Sequence, residues 1–225
     1  MKSFLILANE SYLRTKEQGV QSWQPCLKQD TIAFYHEDYR AGKYKNLGTI
    51  ENMIVTLKGD FNTANIRSVS DTLELDILMD LLDIVEKVFR NSGPIRVCVV
   101  PRAKRDDYYN MNPKLFRETV QNAISGRPGC FEDGVFDIER HTNTMTTHSA
   151  KSGYGGDGEM PYCGITKETC TISNKVAGKK IILIDDLYTK GVGIDEDAIQ
   201  ALYDNGAEKV VFYSIGKTIK GINNL

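Results

Sequence analysis

KKIILIDDLYTKGVG, Lys179 to Gly193, decides how this chain is read. Ile181, Ile182, Leu183 and Ile184 are four apolar residues in succession, three of them β-branched. A run this short and continuous fits a strand buried on both faces, as in a parallel sheet. Asp185 and Asp186 follow where such a strand would emerge, and in open α/β sheets ligands bind beyond the carboxyl ends of the strands. Thr189, Lys190, Gly191, Val192 and Gly193 then form a small-residue loop, and helical spacing begins near Asp195. Glycines let backbone N–H groups turn outward, and a helix N-terminus adds positive potential. The stretch therefore predicts a phosphate cradle with two carboxylates beside it.

The flanks supply the rest of an α/β pattern. Downstream, Ala198, Ile199, Leu202 and Tyr203 mark the inner face of a helix from about Asp195 to Asp204. Asn205-Gly206 stops it, and Lys209–Ile215 is a final parallel strand. Upstream, Ile95–Val100 (IRVCVV) is a second buried strand that ends at Pro101 and runs into Arg102-Ala103-Lys104-Arg105. Three basic residues in four positions at a strand's C-terminal end suit an anion, because guanidinium and ammonium groups match phosphate charge. Asn112 and Pro113 open the next helix, with Leu115, Phe116, Val120, Ala123 and Ile124 inward. Asp71 to Arg90 is a longer helix, with Asp71 as its cap and Leu75, Leu78, Leu82, Val85 and Phe89 on one face. Val135–Ile138 and Thr169–Ile172 are further strand candidates. The fold class predicted is α/β, with a mostly parallel central sheet flanked by helices.

Composition sets outer bounds. The 225 residues fit one domain, the net charge of −2 carries no nucleic-acid footprint, and no apolar run is long enough to span a membrane. The apolar run Phe4–Ala8 is too short for a signal-peptide core, so a cytoplasmic location is expected. Five scattered cysteines suit free thiols better than a disulfide framework. His141, His148, Cys163 and Cys170 raise the question of a zinc site, but their spacing is wider than that of structural zinc pairs.

Residues 179–193 resemble the phosphoribosyl-pyrophosphate (PRPP) signature of type I phosphoribosyltransferases, in the amidophosphoribosyltransferase and competence-associated branch. That pattern has four apolar residues, two acids, two mostly apolar residues, then a Thr-containing loop with a fixed glycine. Asp185 and Asp186 match the acids, Thr189 the first loop residue and Gly191 the glycine. Lys190 stands where a small residue is usual, and Gly193 where Thr is common. The resemblance covers roughly Ile95 to Ile215. It implies that Asp185 and Asp186 hold the ribose hydroxyls, that Thr189 to Gly193 hold the 5′-phosphate, and that Arg102, Ala103, Lys104 and Arg105 bind pyrophosphate. It further implies a mobile loop within Arg140–Gly164, with Arg140, His141, His148 and Lys151 as diphosphate contacts and Arg140 among the catalytic residues. Mg²⁺ would be carried mainly by PRPP oxygens. The partners implied are PRPP and a small nitrogen nucleophile, with a homodimer left open.

By the same resemblance residues 1–68 form a small N-terminal hood and 69–217 the α/β core. In the hood, Ile50–Leu57 reads as a short helix or strand. Trp23, Tyr35, Tyr39 and Tyr44 offer a surface for a flat base, although aromatics more often pack in a core. The branch's N-terminal metal ribbon is absent, since Cys26 alone cannot make one. A receiver domain also opens with a strand ending in paired acids. Only 39 residues follow Asp186, too few for the later strands that fold needs. A PRPP or nucleotide sensor without turnover, and an interaction protein keeping only the scaffold, are the other function classes.

Overall fold

The computed structural model describes residues 1–17, 20–40, 46–58, 66–109, 114–144 and 164–219, with backbone alone for 11–17 and 20–24. The strands are β1 (Lys2–Ile6), β2 (Ser11–Glu17), β3 (Val20–Pro25), β4 (Thr31–Tyr39), β5 (Ile95–Val99), β6 (Phe131–Gly134), β7 (Ile138–Arg140), β8 (Cys170–Ile172), β9 (Lys180–Tyr188) and β10 (Lys209–Thr218). The α-helices among the described residues are α1 (Ile50–Lys58), α2 (Ile66–Val88), α3 (Leu115–Ser125) and α4 (Ile194–Asp204). Six strands form one sheet in the order β1-β4-β10-β9-β5-β6. All neighbours are parallel except β1, which closes the edge antiparallel to β4. β2–β3 and β7–β8 are separate two-stranded pairs.

The apolar runs form the sheet's centre because both faces are covered. Successive side chains of a strand point to opposite faces. Ile182 and Ile184 of β9 therefore join α2 and α3 residues such as Leu73, Ile77, Leu81 and Val120. Ile181 and Leu183 join Ala198, Ile199 and Leu202 of α4. All four β9 residues have 0% exposure. Burying each such side chain contributes about 1.5–3 kcal/mol.

Several expectations need correction. β9 does not stop at the acids but runs through them to Tyr188, because β10 keeps pairing with it as far as Lys217↔Tyr188. The β5 side does stop, at Val99↔Ile184, with one further bond from Val100 N to Ile184 O at 2.9 Å. The acids are thus past the end of one neighbour but still paired with the other. The longer helix begins at Ile66, so Asp71 lies in its interior and caps nothing. Its buried stripe is Val69, Leu73, Ile77, Leu81 and Ile84, while Leu75 is 61% exposed. Of Val135–Ile138 only Ile138 is in a strand, as the first residue of β7. The chain pairs with β5 as Phe131–Gly134, then turns with Asp137 N bonded to Gly134 O at 2.8 Å. An ion pair between Arg96 and Asp137, both buried, ties that turn back to β5.

Within residues 1–68, β1 and β4 are members of the main sheet. Ile50–Leu57 lies within helix α1, which packs closely on β10. A Cβ on Gly216 would come within 2.8 Å of Ile54 Cδ1. Asn112 and Pro113 lie outside the described residues, and α3 begins at Leu115 with Lys114 at its cap position. Among the described residues no helix is long and apolar enough to cross a membrane.

Candidate functional site

The topology marks one place on the sheet. After β5 the chain passes through α3 to β6 on one side, and after β9 through α4 to β10 on the other. The C-terminal ends of β5 and β9 are therefore adjacent strands whose connections diverge, which is where open α/β sheets bind ligands. A cavity of about 330 Å³ lies there. Its wall includes Lys58, Arg102, Ala103, Tyr109, Arg117, Asp185, Asp186, Thr189 and Asp195.

Strand alternation sends the two acids to opposite faces. Asp186 takes the α1 side, where Lys58 Nζ meets its Oδ1 at 3.0 Å, and the two side chains are only 20% and 15% exposed. Asp185 takes the α4 side and hydrogen-bonds the carboxyl of Asp195, which is 1% exposed. Burial, reinforced by the negative charge of Asp186, lifts the Asp185 carboxyl to about 7. Burial and the charges of Asp185 and Glu196 hold Asp195 well above the usual carboxylate range. Asp185 and Asp195 thus hold a proton between them near neutral pH, as two closely placed carboxyls do.

The acids at the start of α4 are all turned inward. Glu196 accepts from Tyr188 Oη at 2.9 Å, and Asp197 accepts from Ile165 N at 2.8 Å. The preceding loop is fixed by Val192 N bonded to Thr189 O at 3.1 Å and by Thr189 Oγ1 at 2.7 Å from Thr218 Oγ1. Gly191 and Gly193 have φ of 85° and 87°, a region that costs other residues about 1 kcal/mol or more. Gly193 is the cap residue of α4. Lys190 leaves the cavity and pairs with Glu10 at 3.0 Å on the surface.

The basic loop is tied down rather than free. Arg102 donates to Lys58 O at 3.0 Å and stacks 3.8 Å from the ring centre of Tyr109. Lys104 N donates to Tyr109 Oη, Arg105 N to Asn143 Oδ1, and Thr144 N to Ala103 O. Arg140 is 7% exposed and donates to Arg102 O at 2.5 Å and to Gly164 O at 3.1 Å. The loop splits the predicted anion contacts. Ala103 lines the cavity beside the acids, Lys104, Arg105, Arg140 and His141 line a second cavity behind the loop, and Arg102 lines both.

Tyr35 and Tyr39 are each only 9% exposed, and Tyr35 lies edge-on to Phe4, so they pack the sheet instead of offering a base platform. Tyr44, His148, Lys151, Cys163 and most of the expected mobile loop lie outside the described residues, as does the side chain of Trp23. Cys170 is buried, and among the described residues no cluster of His, Cys, Asp and Glu could hold a metal ion. Lys58, Tyr109, Arg117 and Asp195 are site residues that the motifs did not single out. Of these only Asp195 carried a signal, as the residue near which helical spacing begins. In comparisons with known proteins, no family model and no curated protein matches the sequence.

Proposed function

We propose that the protein is a phosphoribosyltransferase that displaces pyrophosphate from C1 of PRPP by a nitrogen nucleophile. The observation that carries this reading is that paired acids, a glycine-turned loop at a helix N-terminus and a tethered arginine share one cavity at the switch point of a parallel sheet. In the reaction the C1–O bond to diphosphate breaks, a C1–N bond forms, and the nucleophile's proton passes to a base or to solvent. The barrier is charge: an oxocarbenium-like carbon and a leaving diphosphate. Asp185, half protonated near neutral pH, can both donate to and accept from a ribose hydroxyl, and Asp186 accepts while Lys58 offsets its charge. The Thr189–Gly193 loop receives the 5′-phosphate, and Arg102 with Ala103 faces the departing diphosphate.

Mg²⁺ fits this site only as a substrate-borne ion. One cavity acid is held by Lys58 and another shares a proton, so the described side chains make no cage for it. When bound, the ion would neutralise charge on the diphosphate oxygens. The Lys58–Asp186 pair also favours a second reading, a PRPP-binding regulator without turnover. Pyrophosphate release from Mg-PRPP with ammonia, a primary amine or a panel of nucleobases tests the choice. Release above the nucleophile-free rate supports the transferase, and tight binding without release supports the regulator.

A further inference from the structure

Lys58 lines the cavity at the acids, yet neither the signature nor the basic loop accounts for it. It is the last residue of α1, whose Ile50, Ile54 and Leu57 are buried in the same core as Ile215 of β10. That packing fixes its backbone, and from there it reaches both ends of the cavity. Its ammonium lies 3.0 Å from Asp186 Oδ1, and its carbonyl accepts from Arg102 at 3.0 Å. One residue therefore joins the acid end to the basic end.

The pair with Asp186 is mostly out of water, with side chains 20% and 15% exposed. Pulling such a pair apart costs more than parting two surface charges, because neither partner regains its full hydration. A ribose hydroxyl that donates to Asp186 must share the carboxylate with an ammonium already there. To draw the ammonium aside, negative charge has to be offered nearby. The other acids of the cavity are poorly placed to offer it. Asp185 and Asp195 hydrogen-bond each other on the α4 side, and Asp106 lies 3.8 Å from Lys114. A ligand anion on the Arg102 side can.

We propose that Lys58 is a specificity-determining residue of this cavity: its ion pair guards Asp186, yields to a ribose phosphate that carries a second anionic group, and disfavours ribose 5-phosphate. The inference rests on the phosphoribosyltransferase reading, since it takes Asp186 to be a ribose contact. With an anion beside Arg102 the ammonium turns to it, and Asp186 is left to the hydroxyl. Once that anion departs, Lys58 returns to Asp186 and competes with the ribose that remains. The exchange is one of ion pairs alone, with no covalent step.

The test is calorimetric titration of the full chain with Mg-PRPP and, separately, with ribose 5-phosphate. The proteins are the wild type, Lys58→Met and Lys58→Arg. Met keeps the length and helix preference of Lys without its charge. The Arg102 contact survives, because the backbone carbonyl makes it. Melting curves show that each protein is folded, and Lys58→Gln, which can still donate to Asp186, takes the place of Lys58→Met if that variant is not. Wild type should bind Mg-PRPP at least about tenfold more tightly than ribose 5-phosphate. Lys58→Met should bind ribose 5-phosphate about tenfold more tightly than wild type does, and Mg-PRPP no more tightly, while Lys58→Arg keeps the wild-type ratio. A merely structural role would weaken both ligands alike. An unchanged ratio in Lys58→Met, or weaker binding of ribose 5-phosphate by it, overturns the proposal and leaves the transferase reading standing. Binding of neither ligand by wild type overturns that reading and the proposal with it.

Discussion

Replacing Asp195 with Asn should make the protein more stable at alkaline pH. Asp195 is buried beside Asp185, and both carboxyls are held above the ordinary range by burial and by their mutual charge. An acid whose folded pKa is raised favours folding in its protonated form. Its cost is therefore absent below about pH 4, grows between about pH 4 and the folded pKa, and is complete above it. For Asp185 that window ends at about pH 7. Each unit of upward shift costs about 1.4 kcal/mol at high pH. Asn keeps the shape and can donate to Asp185, so it removes one buried charge without leaving a cavity. The expected gain is about 1–3 kcal/mol at pH 8.5, and nearly nothing at pH 4.5. For a chain of this size that is roughly 2–10 °C in Tm. Melting curves of both proteins at the two pH values are the assay. A variant less stable than wild type at pH 8.5, or one whose effect is the same at both pH values, would refute the shared-proton account.

Other outcomes follow from single contacts. His36 is raised above its usual value, chiefly by its hydrogen bond to Asp80 at 2.9 Å. Its stabilisation is full below about pH 6.5 and lost as pH rises through the folded pKa, so His36→Asn should lower Tm at pH 5.5 more than at pH 9. Gly216→Ala should cost about 1–3 kcal/mol in denaturant unfolding, because the new methyl meets Ile54, Leu187 and Tyr39 at 2.8–3.2 Å. Lys190→Ala should change stability by less than about 1 kcal/mol, since its pair with Glu10 is on the surface, and a larger loss would show that the loop depends on it.

What the sequence disclosed depended on how local the cause was. Ile95–Val99 and Ile181–Ile184 were legible as strands because a short run rich in β-branched residues has few other uses. The basic loop and the acids were legible as neighbours because both follow such strands. The face of α2 was not, since Leu75, Leu78, Leu82 and Val85 satisfy helical spacing as well as Val69, Leu73, Ile77 and Leu81 do. Packing against the sheet selected the second set. Phe131–Gly134 has the composition of a turn and is a strand only because β5 offers it an edge. Lys58 reaches Asp186 from a helix 128 positions earlier in the chain, a meeting that no spacing rule encodes. The inward turn of Asp195, Glu196 and Asp197 depends on partners as distant as Ile165.

The same contacts change what the paired acids should do on mutation. Asp186→Asn leaves Lys58 half-buried without its counter-ion and should lower stability, whereas Asp185→Asn relieves a crowded charge and should not. Asp185→Asn is therefore the cleaner probe of function. The most direct measurement is the affinity of Mg-PRPP for wild type and for Asp185→Asn, by calorimetry at pH 7.5 with melting curves alongside. The account predicts that wild type binds and that the variant, equally or more stable, binds about tenfold or more weakly. Binding of equal strength by the two proteins, or none by wild type, would contradict it.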